Sequence, residues 1–333
     1  MVAKRLSVIV IAGIVAVGCG GATARTAAAR PAALAQWTGY IRANSPIDVV
    51  GPRADGKLIV AADGRLRLLS RSGRLQPFAP TYNIGPGPEA YIALASVGRP
   101  GCSFGADTVY VISFAKPRGL LAVSAKGHIR RFATITAPGL TDGIAFDDTG
   151  RFGYRLLVAT TNGPLTTVDA VDCHGNVRVI TTKAHRAEGG VAVAPASFGR
   201  FGGDLIESDE LGGGIYAVTP AGGNRLVANS GLPHGGDTGV ESEAFLPARG
   251  RFAALLADRL TPGNPHPGNN LLLRVSSAAL FAAGARAGDL LDATEGGAKT
   301  VAVHCGPSGC TVRRVANGPA IAHPEGHIAI VPR

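Results

Sequence analysis

Four acidic residues, Glu89, Asp142, Glu188 and Glu241, each stand at the entrance of a short apolar run: EAYIALA, DGIAF, EGGVAV and ESEAF. Carboxylates that recur in this way converge if the runs lie side by side around one axis. A ring of carboxylates offers oxygen ligands to a hard divalent cation such as Ca²⁺, or acceptors to a ligand carrying hydrogen-bond donors. Other polar residues fall in the turns that follow or precede such runs: Asp63, Asn162, Asp209, Glu210 and Asp258, and then His185, His234 and Asp237. The two histidines read as solvated loop residues. No Gly-x-Ser-x-Gly elbow occurs, so a serine nucleophile of that type is not indicated. No phosphate-loop or dinucleotide fingerprint occurs either.

The elements that must position these acids are strands. After residue 45 the chain is short apolar runs punctuated by Gly, Pro, Asn and Asp, a strand-and-turn pattern. Only SSAALFAAGARAGD, 276–289, reads as helical. A longer self-similarity runs over this pattern. Gly-Arg-Phe followed by an apolar run recurs around Arg151, Arg200 and Arg251. The units beginning at Asp142 and Glu188 each parse as four strands joined by turns. Units beginning near Ile47 and at Glu89 parse likewise. A fifth begins at Glu241 and ends in NNLLLRV and CTVRRVA, and PAIAHPEGHIAIVPR supplies the first two strands of a sixth. Four antiparallel strands per 40 to 50 residues is the period of a β-propeller blade (about that length in known arrays).

The expected fold is therefore all-β, a six-bladed β-propeller with one short helical insert near 276–289. Seven blades is the alternative, the extra one drawn from 276–310. QWTGYIRAN, 36–44, is placed to give the half blade an outer strand and close the ring. In a propeller, loops from outermost strand to next innermost strand share one face with the second-to-third-strand loops. The acids belong to that face. The Gly-Arg-Phe copies fall on the other, where Gly turns the loop, Phe packs between blades and Arg stays in solvent or bonds a carbonyl.

Composition sets the compartment. Lys4 and Arg5 precede an apolar stretch from Leu6 to Val17 that is too short to span a bilayer comfortably, and Val17-Gly18-Cys19 follows. This reads as an export signal over 1–18, with Cys19 the lipidated residue of a lipoprotein and 19–35 a flexible tether ahead of a single domain at 36–333. Plain secretion is the alternative. The expected location is the outer face of the cytoplasmic membrane, held by the lipid anchor. The net charge is +10, but no Lys/Arg run interleaved with aromatics occurs, which argues against nucleic acid. A basic exported surface suits anionic lipid or cell-wall polymer. The expected partner is a small molecule, such a polymer or a protein, and the expected state is a monomer. With Cys19 set aside, four cysteines remain in an oxidising compartment, where disulfides form. Cys305-Gly-Pro-Ser-Gly-Cys310 is a turn between two strand-like runs, so Cys305 is paired with Cys310 and Cys102 with Cys173.

The blade phrases ADGKLIVAADGRLRLLSRSGRLQPF and GGDLIESDELGGGIYAVTPAG resemble those of six-bladed propellers of the NHL and senescence-marker/gluconolactonase-like type, over about residues 45–333. The wording near the C-terminus, GDLLDATEGG and VANGPAIAHPEGHIAIV, resembles exported actinobacterial propeller proteins, a group that implies no activity. The gluconolactonase-like resemblance implies one divalent metal held over the channel by carboxylates and amides. Such a metal could polarise a lactone or ester carbonyl and activate water. Glu89, Asp142, Glu188 and Glu241 match the acid positions, and Asn162 and Asp209 are the further ligand candidates. Two functions follow. The first is an exported propeller that binds a ligand or partner at its channel mouth without an evident catalytic set. The second is a divalent-metal-dependent lactone or ester hydrolase.

Overall fold

The structure, a computed structural model, describes residues 33–333 apart from 86, 97 and 99. The expected export signal, tether and lipidated Cys19 lie outside the described residues, except for the tether's last three residues. β1 (Ala35–Gln36) and β2 (Thr38–Arg42) come first in the chain. Blade 1 follows as β3 (Pro46–Val50), β4 (Leu58–Ala62), β5 (Arg65–Leu69) and β6 (Leu75–Phe78). Blade 2 is β7 (Ile92–Leu94), β8 (Val109–Ser113), β9 (Gly119–Val123) and β10 (Ile129–Thr134). Blade 3 is β11 (Leu140–Phe146), β12 (Leu156–Asn162), β13 (Leu165–Val171) and β14 (Val177–His185). Blade 4 is β15 (Ala192–Val193), β16 (Leu205–Ser208), β17 (Gly214–Val218) and β18 (Asn224–Asn229). In each, consecutive strands pair antiparallel, with the first strand innermost.

The remaining chain builds two blades at once. It runs through β19 (Val240–Phe245), β20 (Phe252–Asp258), β21 (Leu271–Ser276), α1 (Ser277–Ala282), β22 (Leu290–Thr294), β23 (Thr300–Gly306), β24 (Gly309–Asn317) and β25 (Pro324–Pro332). Blade 5 is β19-β22-β23-β24, with β1 added parallel outside β24. Blade 6 is β25-β20-β21-β2. Six blades close the ring, as the repeat predicts, and TGYIR within 36–44 does become the outer strand of the closing blade. The strand assignment around it differs from the sequence reading. FAALLAD and LLLRV belong to blade 6, not blade 5, and the C-terminal segment gives one strand rather than two. Region 276–310 holds the helix and the inner strands of blade 5, not a seventh blade. An apolar run encodes that a segment is a strand but not which strand it pairs with. After β19 the loop carries the chain onward to blade 6, where the matching loops of blades 3 and 4 turn back within their own blade. The helix is shorter than 276–289, and the Ser276 hydroxyl caps it by accepting from the Ala279 N–H at 3.2 Å.

Burial lies in the seams between blades. Phe152 packs in the seam of blades 3 and 4, Phe201 in that of 4 and 5, and Phe252 in that of 5 and 6. All three are nearly fully buried, while Arg151, Arg200 and Arg251 are exposed. The Gly-Arg-Phe repeat is thus a seam plug. Phe104, in the corresponding loop of blade 2, fills the seam of blades 2 and 3. Both expected disulfides are present. Cys102–Cys173 joins loops of blades 2 and 3, and Cys305–Cys310 closes the β23–β24 hairpin.

Candidate functional site at the channel mouth

The innermost strands of the six blades, β3, β7, β11, β15, β19 and β25, surround the channel. Asp48 on β3 is fully buried and ties three blades together. Its carboxylate accepts from the backbone N–H of Val49 (2.8 Å), Ile92 on blade 2 (2.9 Å) and His327 on blade 6 (2.9 Å), and from His327 Nδ1 (2.9 Å). The close approach depends on Gly326, whose φ is +66° and whose Cβ, if present, would stand 2.5 Å from the Ile47 carbonyl oxygen. Burial disfavours a charged His327, but the Asp48 carboxylate outweighs it and raises its pKa. This pair clamps blade 1 to its neighbour, blade 6.

Above it a continuous polar network crosses the mouth. Arg186 pairs with Glu188 at 2.8 Å. Glu188 is hydrogen-bonded to Glu210, and Glu210 to Glu295. Glu295 takes His323 Nε2 at 2.9 Å, and the same nitrogen lies 3.4 Å from Glu325. Arg259 bridges Glu325 (3.1 Å) and Glu89, and also donates to the Gly87 carbonyl at 3.0 Å. Finally Tyr91 Oη lies 2.8 Å from Glu241 and 3.3 Å from Glu325. Six glutamates drawn from blades 2, 4, 5 and 6 therefore share two arginines and one histidine.

The energetic consequence is retained protons. Burial raises the pKa of Glu89, helped by Glu325 and Glu188, to about 7. Burial and Glu210 raise Glu188 to about 7, and burial and Glu295 do the same to Glu210. Glu241, buried and surrounded by Glu325, Glu295, Glu89 and Glu188, is raised well above its ordinary value. Burial opposes charge on His323, but its bonds to Glu295 and Glu325 dominate and lift it to about 10. These two bonds favour the charged form of the His323 ring. Its Nδ1 is buried with no hydrogen-bond partner. One hydrogen bond between two carboxyl groups needs one proton, so the row Glu188–Glu210–Glu295 holds protons unless something else brings positive charge.

Of the acids singled out in the sequence, Glu89, Glu188 and Glu241 enter this network, and Asp142 is buried against it, its pKa raised by burial and by Glu188. Asn162 is exposed on the β12–β13 turn. Asp209 is buried but turned to its own loop, accepting from Leu211 N–H at 3.1 Å, with His185 Nδ1 3.7 Å away. Among the described residues no hydrogen bond links Asn162 or Asp209 to the network. His185 stacks on Tyr216 with centroids 3.8 Å apart. His234 is exposed and bonds the Leu211 carbonyl. Asp258 is fully buried and joins its own loop to the segment before β25, accepting from the Asn269 and His323 N–H groups. Glu325, Glu295, His323 and Arg259 were not singled out as ligands. A signal for Glu325 exists: EGHIAI, 325–330, repeats EGGVAV, 188–193.

Asp237, Glu295 and His323 form a further grouping: one potential ligand atom from each lies within 4.8 Å of the others. A mixed carboxylate and imidazole set fits a divalent cation, provided the His323 proton leaves on binding.

No protein-family model matches the chain, and no curated protein matches it. Among solved structures, it is similar to a streptogramin B lyase, with 13% identity, 84% of this chain and 72% of that one covered, and a TM-score of 0.46. It is similar to a virginiamycin B lyase from Staphylococcus aureus complexed with quinupristin, with 12% identity, coverage of 84% and 73%, and a TM-score of 0.47. A gluconolactonase from Xanthomonas campestris aligns with 14% identity, coverage of 67% and 69%, and a TM-score of 0.38.

Proposed function

We propose that this chain is an exported, lipid-anchored propeller that binds a small ligand at the glutamate-lined mouth of its channel. The observation that carries this reading is the row Glu188–Glu210–Glu295. Three carboxyl groups from blades 4 and 5 bond one another, and Arg186 and His323 stand only at its ends. A ligand bearing ammonium or several hydrogen-bond donors replaces the retained protons, and such pre-placed acceptors give a pocket its specificity. The test is a melting screen of wild type against a Glu188→Gln/Glu210→Gln variant, with polyamines, amino sugars and cell-wall fragments. A ligand that binds the folded chain raises Tm by mass action. A compound that stabilises wild type and not the variant supports the reading; a screen in which none separates the two defeats it.

The second reading, a divalent-metal-dependent hydrolase, is favoured by Asp237, Glu295 and His323. A cation held by these residues would supply polarisation of a lactone or ester carbonyl. The residues of this chain beside it, Glu188 and Glu210, have pKa values of about 7 and suit proton transfer at neutral pH. Millimolar Ca²⁺ or Mn²⁺ should then raise Tm and EDTA reverse it. An unchanged Tm with both ions rules this reading out.

The lipid anchor rests on Lys4, Arg5, the apolar run and Cys19. Cys19→Ala should move the protein from the membrane fraction to the medium, and unchanged retention counts against the anchor.

A further inference from the structure

On the face opposite the glutamates, each seam around the ring but one has an identified plug from the loop that leaves the preceding innermost strand. Arg53 lies over Phe78 at 5.3 Å in the seam of blades 1 and 2. Phe104, Phe152, Phe201 and Phe252 fill the next four. Among the described residues, the seam between blades 6 and 1 receives no such loop. The second strand of blade 6, β20, arrives from blade 5, so β25 needs no connection to it. The missing plug leaves a groove of about 460 Å³, within the size range of small-molecule sites (about 300–1,000 Å³).

The groove has two chemistries. Its floor is apolar, made by Leu58 and Leu69 of blade 1 and by Leu255 and Val331 of blade 6. Besides Arg333, its cationic lining is Arg71 of blade 1 together with Arg274 of blade 6. Arg274 is held over the Tyr40 ring at 4.9 Å. Neither arginine is paired with an acid among the described residues, and Asp55, in the loop beside the groove, is engaged by Lys57 at 2.9 Å. An apolar trough with two unpaired guanidinium groups complements one kind of small molecule. Guanidinium binds carboxylate in charge-assisted hydrogen bonds, and the trough removes an alkyl chain from water.

We propose that the seam between blades 6 and 1 binds a free single-chain carboxylate, with its chain along Leu58, Leu69, Leu255 and Val331 and its head between Arg71 and Arg274. The site is independent of the glutamate mouth and lies on the other face.

Dodecanoate is the probe, titrated calorimetrically into the purified protein below its micellar range. Wild type should bind one equivalent. Arg71→Gln/Arg274→Gln should weaken binding about tenfold or more, and dodecanol should bind wild type no better than it binds that variant. Val331→Phe, at a half-exposed position, supplies an aromatic plug like those of four of the other seams, and it should abolish binding while leaving Tm equal or higher. Absence of saturable dodecanoate binding to wild type overturns the proposal. So does affinity unchanged in Val331→Phe, or unchanged in the arginine variant. If the protein instead binds anionic vesicles and not free dodecanoate, the proposal is likewise overturned.

Discussion

Tyr91 on blade 2 reaches Glu241 on blade 5, with the phenol oxygen 2.8 Å from the carboxylate. Both residues are buried, so a single side chain reaches across the channel to bond a residue from the far side of the ring. Tyr91→Phe keeps the packing and removes that donor. A buried acceptor left unsatisfied costs about 1–3 kcal/mol, so the variant should lose that much stability in chemical denaturation. Glu241 then has one donor fewer and keeps its proton more strongly. A loss under about 0.5 kcal/mol would mean that the channel is wet enough for water to replace the phenol.

Stability should fall as pH rises through the weakly acidic range. Glu89, Glu188 and Glu210 have folded pKa values of about 7, above the roughly 4.3 of an unfolded glutamate. Between those values the folded chain holds protons that the unfolded chain has released, and stability declines with pH. The contribution is fully present below about 4.3 and gone above about 7. His323, raised to about 10, adds a decline between roughly 6.5 and that pH. The measurement is Tm from pH 5 to 8 at fixed ionic strength, with Glu210→Gln expected to flatten the slope. A ligand-free protein whose Tm climbs across that range contradicts the retained protons.

How much of this is visible in a sequence depends on whether the determinant is local. The Gly-Arg-Phe plugs, the acids at strand entrances and the Cys305–Cys310 hairpin are each written in a few adjacent residues, and they could be read. The mouth network is not local. Glu295, His323 and Glu325 come from two blades that share one stretch of chain, and nothing near Glu295 in DATEGG announces that it meets Glu210. The exchange of β20 and β21 between blades is invisible for a related reason: FAALLAD is a competent second strand for either blade, and only the competition of β22 for β19 decides. The open seam follows from that exchange, so it could not be inferred before the topology was known.

The two disulfides should differ in worth. Cys102 and Cys173 are 71 residues apart and tie adjacent blades, whereas Cys305 and Cys310 are 5 apart within one hairpin. In the chain-entropy account, the stabilisation grows with the logarithm of the closed loop, giving about 4 kcal/mol for the first and about 2 for the second. Paired Cys→Ala variants compared by denaturant unfolding should show the larger loss for Cys102/Cys173. Equal losses would locate the effect in native packing around the bridge rather than in the unfolded chain.

Trp37 stands between β1, which extends blade 5, and β2, which completes blade 6. Its indole is 2% exposed in a core shared by both blades and donates to Thr300 Oγ1 at 2.8 Å, while its backbone N–H bonds the Asn317 carbonyl at 2.8 Å. This one residue therefore docks the N-terminal strands that close the ring. Trp37→Ala should cost about 3–5 kcal/mol, the usual loss for a large buried aromatic. Trp37→Phe keeps most of the packing and gives up the hydrogen bond, for about 1 kcal/mol plus a smaller packing loss. The chain has a single tryptophan, so its fluorescence reports this docking alone. In wild type the red shift on denaturation should coincide with the loss of sheet signal in circular dichroism. A red shift at lower denaturant would show instead that β1 and β2 leave before the blades unfold, and that ring closure is a separate, weaker step.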